Sequence, residues 1–212
     1  TTEIKSSAIA KGESFYDTAR VLSGYSDMIV MRHQTAGSVE EFSRASRVPV
    51  INGGDGANEH PSQALLDLYT ISREMAHRGQ SIDNLHIALV GDLKFGRAVH
   101  SLCMLLTLFD NIHFTLISPE ELKLEPQYIE KIKSSAHVVT ESTELQAGIQ
   151  DADIIYVTRT QEERFASYEE ASRYKGLFRL NQAIYTEFCK PNTVIMHPLP
   201  RDSRADANEL DN

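Results

Sequence analysis

Seven short apolar runs constrain the chain most: DMIVMRH (27–33), VPVI (48–51), LHIALVGD (85–92), IHFTLIS (112–118), HVVT (137–140), DIIYVT (153–158) and TVIMHP (193–198). Each is too short for a packed helix, and most are nearly continuous rather than alternating, which marks strands buried on both faces. Helix-spaced segments separate them, at 13–24, 38–46, 61–75, 95–109, 126–136, 142–149, 167–174 and 180–188. Strands alternating with helices predict an α/β chain built on parallel sheets with helical cover. The polar stretch HRGQSIDN (77–84) interrupts the pattern, which then restarts. Two α/β units are therefore expected: 1–63, a connecting helix and linker at 64–82, and 83–212.

The composition narrows the function. A net charge of −9 over 212 residues argues against nucleic acid or an anionic membrane as partner of the whole surface, yet leaves room for a local basic pocket. No apolar run approaches the roughly 18 residues of a membrane span. The start, TTEIKSSAIAKGE, has no apolar core of a signal peptide. Cys103 and Cys189 stand far apart, outside any CxxC or Cys/His spacing, and read as buried thiols in a reducing compartment. A cytoplasmic protein is expected. A first residue other than Met and a polar end at ANELDN suggest a piece of something longer.

In open parallel sheets ligands bind beyond the carboxyl ends of the strands. Those ends carry Arg32 and His33, then His60, Pro61 and Gln63, then Asp92, Lys94 and Arg97, then Arg159, Gln161 and Arg164, and last His197, Pro198, Leu199 and Arg201. Four of the five carry an arginine in an acidic protein, and the guanidinium fork suits carboxylate and phosphate. A small substrate with several negative charges fits. Taken singly, each arginine also reads as a solvated or ion-paired surface residue, and His-Pro as a plain turn. In GDGANEHPSQALLDLYTI (54–71) a Gly- and Asp-rich loop, expected to let the backbone come close to a ligand, precedes a helix starting on Pro61. GDLKFGRA (91–98) follows a strand and opens a helix, but Leu93 replaces the second glycine of a dinucleotide fingerprint. Arg97-Ala98 likewise replaces the Lys-Ser/Thr of a P-loop. NEH (58–60) lacks a second metal ligand at helical spacing.

Taken in order, MRH (31–33), GDGANEHPSQALLDLYTI, VGDLKFGR (90–97), YVTRTQEERF (156–165) and HPLPR (197–201) resemble the catalytic chain of the aspartate carbamoyltransferase family, and KGES (11–14) resembles its mobile lysine loop. The ornithine-specific siblings share the His-Pro-x-Gln element but carry H-C-L-P and a Ser-Met-Gly loop, where this chain has HPLP and TRTQ. The resemblance implies a carbamoyltransferase fold whose first domain, for carbamoyl phosphate, is only partly present, followed by a Rossmann-like aspartate domain. It implies carbamoyl transfer from carbamoyl phosphate to L-aspartate on the way to pyrimidines. His60 and Arg32 would polarise the carbamoyl oxygen, Gln63 and the carbonyls of Pro198 and Leu199 would hold its NH2, and Arg97, Arg159 and Gln161 would bind the aspartate carboxylates. Lys11 would reach phosphate and aspartate across a subunit boundary in a homotrimer with shared sites. Regulatory chains or fused pathway enzymes are further partners the family allows. A carbamoyltransferase for another amino acid, or an inactive anion-binding or scaffold piece, stays open.

Two departures carry expectations of their own. The family's Ser-Thr-Arg-Thr phosphate cradle is absent and is expected upstream of residue 1, and the returning C-terminal helices beyond residue 212. The 212-residue piece alone is therefore expected to be inactive. In HPLPRDSRADANELDN five extra residues precede Asn208, lengthening a loop beside the aspartate site that either affects closure or is a tolerated surface insertion.

Overall fold

Ser14 starts the first helix, α1 (Phe15–Leu22), because its hydroxyl accepts the otherwise unpaired amide of Asp17. The computed structural model describes residues 11–202, 204 and 208–211, and the chain divides into two units between Ser62 and Gln63. In the first unit β1 (Ile29–His33) and β2 (Val50–Asp55) pair in parallel, with α2 (Ser38–Ala45) between them in sequence. Ala19, Phe42 and Ala45 form its buried core, lined by Phe15, Ile29, Met31 and Val50. Along β1, Val30 and Arg32 are exposed while Ile29, Met31 and His33 are half-buried, so one face of this small sheet meets the helices.

The expected strand at 48–51 runs on to Asp55, through Asn-Gly-Gly. The Gly- and Asp-rich loop forms a turn closed by pairing of Asp55 with Glu59. Its glycines answer the chain's own crowding. At Gly56 (φ +57°) a Cβ would lie 2.4 Å from the Ala36 nitrogen. Asp55 is buried and accepts from the Gly37 and Val39 amides at 2.9 and 3.4 Å and from Ser38 Oγ at 3.2 Å. A carboxylate from β2 thus caps the start of α2, where an anion meets unpaired amides. Burial pushes the Asp55 carboxyl up, but hydrogen bonds from Asn58, Gly37, Val39 and Ser38 outweigh it and hold the pKa below the usual range.

The helix starting on Pro61, α3 (Pro61–His77), leads into the second unit. There β3 (His86–Val90), β4 (His113–Ile117), β5 (Val138–Ser142), β6 (Ile154–Val157) and β7 (Val194–Met196) form a parallel sheet ordered β5-β4-β3-β6-β7. Its helices are α4 (Arg97–Leu106), α5 (Pro126–Ser134), α6 (Leu145–Ile149), α7 (Tyr168–Ser172) and α8 (Gln182–Phe188). Period-two alternation splits β3 between two cores: Ile87 and Leu89 join the cluster containing Val99, Leu102 and Ile132, and Ala88 and Val90 join that of Ile149, Ile155 and Leu180. The strand order reverses beside β3, the switch point of an open parallel sheet, and the loops that follow β3 and β6 carry the candidate residues.

Some expected boundaries move. The helix expected at 142–149 is only Leu145–Ile149, because Ser142 belongs to β5 and its hydroxyl bonds the backbone of Glu144 in a turn. Cys103 is buried as expected, but Cys189, at the end of α8, is only half-buried, and that burial raises its thiol pKa. Among the described residues no helix is long and apolar enough to cross a membrane.

Candidate functional site

The first unit brings two of the expected residues together. Arg32, near the end of β1, donates through Nη1 to His60 Nε2 at 3.4 Å, across 28 positions of chain. Arginine has no acceptor, so this contact requires an unprotonated Nε2 and leaves the ring proton on Nδ1, which faces Ser62 Oγ at 3.3 Å. The guanidinium is exposed and the imidazole half-buried, as suits groups that meet a ligand. Lys11 is exposed, next to Gly12 with φ +94° and open space around it.

In the second unit Gln63 lies in the first turn of α3, and its amide donates to Asp67 Oδ1 at 3.0 Å, one turn on. The other oxygen, Oδ2, accepts from the Tyr156 hydroxyl at 2.7 Å. Gln63 is thereby held in a defined orientation by a buried acid that is itself fixed to the sheet. Burial pushes the Asp67 carboxyl up against the hydrogen bonds from Tyr156 and Gln63. Burial, with the Asp67 charge beside it, keeps the Tyr156 phenol protonated far above its ordinary range. Asp67 stands four residues from Gln63, a helical spacing that signals the contact. Tyr156 lies inside an apolar strand, and nothing local to it does.

The segments of the residues expected to bind aspartate meet at another buried acid. Asp92, at the end of β3, is 1% exposed. Its Oδ1 accepts the Phe95 amide and its Oδ2 the Gln161 amide, each at 3.0 Å. Phe95 precedes Arg97, the first residue of α4, while Gln161 lies in the segment after β6. One carboxylate therefore ties the segment carrying Arg97 to the one carrying Arg159 and Gln161. Burial raises its pKa, against those amide hydrogen bonds. Between the two strands, Gly91 (φ +114°) leaves space that a Cβ could not share, since it would sit 2.2 Å from the Thr158 carbonyl oxygen. That glycine serves the close approach of β3 and β6, not a phosphate loop.

Arg159 already grips a carboxylate. Its Nη1 and Nη2 donate to Glu163 Oε2 and Oε1 at 3.0 and 2.7 Å, and Nη1 also donates to the Thr160 carbonyl at 3.1 Å. This pair lowers the Glu163 pKa and raises that of Arg159. Glu163 stands within YVTRTQEERF without a role assigned from sequence, and since it shares no helix with Arg159 their spacing gives no local signal of the pair. Pro198 is half-buried and Leu199 exposed, directly after β7. Two further strand-end cations serve the fold: Arg201 reaches the Leu210 and Asp211 carbonyls, and Lys94 lies over the Phe95 ring. No group of three or more metal-ligating side chains occurs among the described residues.

Two family models match: the carbamoyl-phosphate binding domain of aspartate/ornithine carbamoyltransferase over residues 1–73, and its aspartate/ornithine binding domain over 83–210. The aspartate carbamoyltransferase catalytic subunit of Saccharophagus degradans is 68% identical over the whole chain, which spans 63% of that relative. That of Dichelobacter nodosus is 52% identical over 99% of the chain, which spans 60% of it. The chain thus spans under two thirds of the length of these relatives. Among solved structures, the catalytic subunit of M. jannaschii aspartate transcarbamoylase is similar at TM-score 0.78 and 45% identity, over 98% of this chain and 64% of that one. Trypanosoma cruzi aspartate transcarbamoylase in complex with carbamoyl phosphate and aspartate is similar at TM-score 0.87 and 35% identity, over 100% and 66%. With parallel α/β units matched by both domain models, the chain belongs to the aspartate/ornithine carbamoyltransferase family.

Proposed function

We propose that the protein containing this chain transfers the carbamoyl group of carbamoyl phosphate to the amino group of L-aspartate, releasing phosphate, as a step of pyrimidine biosynthesis. The observation that carries this reading is Asp92, which holds the segments of Arg97 and of Arg159 and Gln161 on one buried carboxylate. Two guanidinium groups and an amide held in this way suit a substrate with two carboxylates. Glu163 occupies the Arg159 fork, and a substrate carboxylate that takes this fork replaces Glu163 as its acceptor.

When the amine attacks, negative charge develops on the carbamoyl oxygen. Arg32 supplies a donor for it, with that oxygen replacing His60 Nε2 as the acceptor. His60 then donates to the same oxygen once its proton sits on Nε2 rather than Nδ1. Gln63, fixed by Asp67, and the carbonyls of Pro198 and Leu199 hold the carbamoyl NH2. Lys11 reaches phosphate and aspartate from a neighbouring subunit of a cytoplasmic homotrimer. The division of residues into 1–63, 64–82 and 83–212 as carbamoyl phosphate domain, connector and aspartate domain belongs to the same proposal. No metal or organic cofactor enters it.

The test is a radiolabelled carbamoyl phosphate assay on the intact protein, with aspartate, ornithine or N-acetylornithine as acceptor. Carbamoylaspartate is the expected product, and carbamoylation of another acceptor instead overturns the reading. Arg159→Ala is expected to raise the KM for aspartate by about 10²-fold, the scale of losing one bidentate carboxylate contact of about 3 kcal/mol.

A further inference from the structure

Leu199 has φ +58°, a left-handed conformation that a leucine side chain disfavours, and its side chain is 68% exposed. Side-chain packing does not account for that backbone. A histidine does. The Leu199 N–H donates to His197 Nδ1 at 2.9 Å. An Nδ1 that accepts a backbone amide carries no proton, so the neutral ring bears its hydrogen on Nε2. That hydrogen is donated to Glu209 Oε1, 2.8 Å away, with both side chains almost fully buried at 4% and 7% exposed.

Glu209 is held independently of the ring. Its carbonyl accepts the Leu180 amide at 3.0 Å, and Leu180 in turn accepts the Asp211 amide at 3.1 Å, forming a short parallel bridge. Glu209 Oε1 also accepts the Asp202 amide at 3.0 Å, so one oxygen holds both the histidine and the chain beyond Arg201. The extra residues before Asn208 lie between Asp202 and Glu209, and the polypeptide returns after them to restore this contact. On the other side, Met196 pairs with Tyr156, whose hydroxyl is bonded to Asp67, the residue that orients Gln63.

Resting on the carbamoyltransferase reading above, we infer that His197 is a positioning residue for carbamoyl phosphate. Its Nδ1 fixes the backbone whose Pro198 and Leu199 carbonyls accept the carbamoyl NH2, and Glu209 fixes the tautomer that makes this possible. Gln63 and these two carbonyls are then held through adjacent strands β6 and β7, giving the NH2 acceptors a common rigid support. The histidine touches no reacting atom.

The two ring nitrogens can be separated by substitution in the intact protein. Asparagine places Oδ1 where Nδ1 stands and keeps an acceptor for Leu199, but cannot reach Glu209. Glutamine reaches Glu209 and leaves the Leu199 amide without its acceptor. His197→Gln is expected to raise the KM for carbamoyl phosphate or lower kcat by about tenfold, with the aspartate KM within about twofold. His197→Asn is expected to stay within about threefold of the parent per folded molecule, although its melting temperature falls. Equal kinetics per folded molecule in both variants, with activity following only the folded fraction, overturns the inference. A parent without carbamoyltransferase activity refutes the functional reading instead. Nitrogen-15 spectra of the unsubstituted protein test the geometry in either event: a bare Nδ1 and protonated Nε2 are expected, and a proton on Nδ1 overturns the inference.

Discussion

The described parts of the two units hold their candidate side chains differently. The second spreads a five-stranded sheet between two apolar clusters and fixes its polar residues on buried acids, Asp67 and Asp92. Among its described residues the first shows two paired strands, a cluster of Ala19, Phe42 and Ala45, and an arginine–histidine pair 3.4 Å apart. The difference teaches that rigidity at the candidate residues comes from the depth of the acid behind them. Gln63 and Gln161 inherit their positions from the sheet, while Arg32 and His60 hold each other near the surface.

The largest expected effect tests that contrast directly. Phe42→Ala removes the bulkiest buried side chain of the first unit's core and is expected to cost about 3–5 kcal/mol. Amide protection should be lost across α1, α2, β1 and β2 while β3 and β6 keep theirs in hydrogen exchange. Simultaneous loss of protection in both units would show that the first does not unfold separately.

A smaller effect distinguishes the units by pH. Asp55 has a folded pKa below its ordinary 3.8, so its contribution is complete above that value and is lost as pH falls through 3.8 towards the folded pKa. Asp67 and Asp92 have raised folded values, so their ionised forms cost stability, and that cost is relieved as pH falls through those values towards 3.8. Acidification below pH 3.8 should therefore weaken the cap on α2 before it weakens the second unit. Stepwise acidification followed by amide exchange measures the order, and earlier loss of protection in β3 contradicts it.

The smallest effect concerns the surface. Arg44 and Glu40 pair at 2.6 Å on α2 with side chains 77% and 68% exposed, so Arg44→Ala should change stability by less than about 0.5 kcal/mol. A melting shift as large as that of Phe42→Ala would mean the first unit depends on its surface charges more than on its core.

Much of this was legible locally. Strand and helix alternation, the helix start at Pro61 and the cations at strand ends all follow from spacing and residue type. The Gly-Asp stretch is locally ambiguous because its sequence suits a ligand loop and a self-capping turn equally well, and only the tertiary structure shows Asp55 buried against α2. Arg159 is legible as a cation at a strand end, but its grip on Glu163 depends on how the turn after β6 folds back.

By itself the amino-acid order determined the parallel α/β class, the restart of the pattern in a second α/β stretch, and which polar and charged side chains follow the strands. Those properties reside in short-range periodicity and chemical type. The tertiary structure alone decided what holds these side chains in place. Asp67 meets Tyr156 across 89 positions and Asp92 meets the Gln161 amide across 69, contacts that exist only because crossover connections lay distant strands side by side.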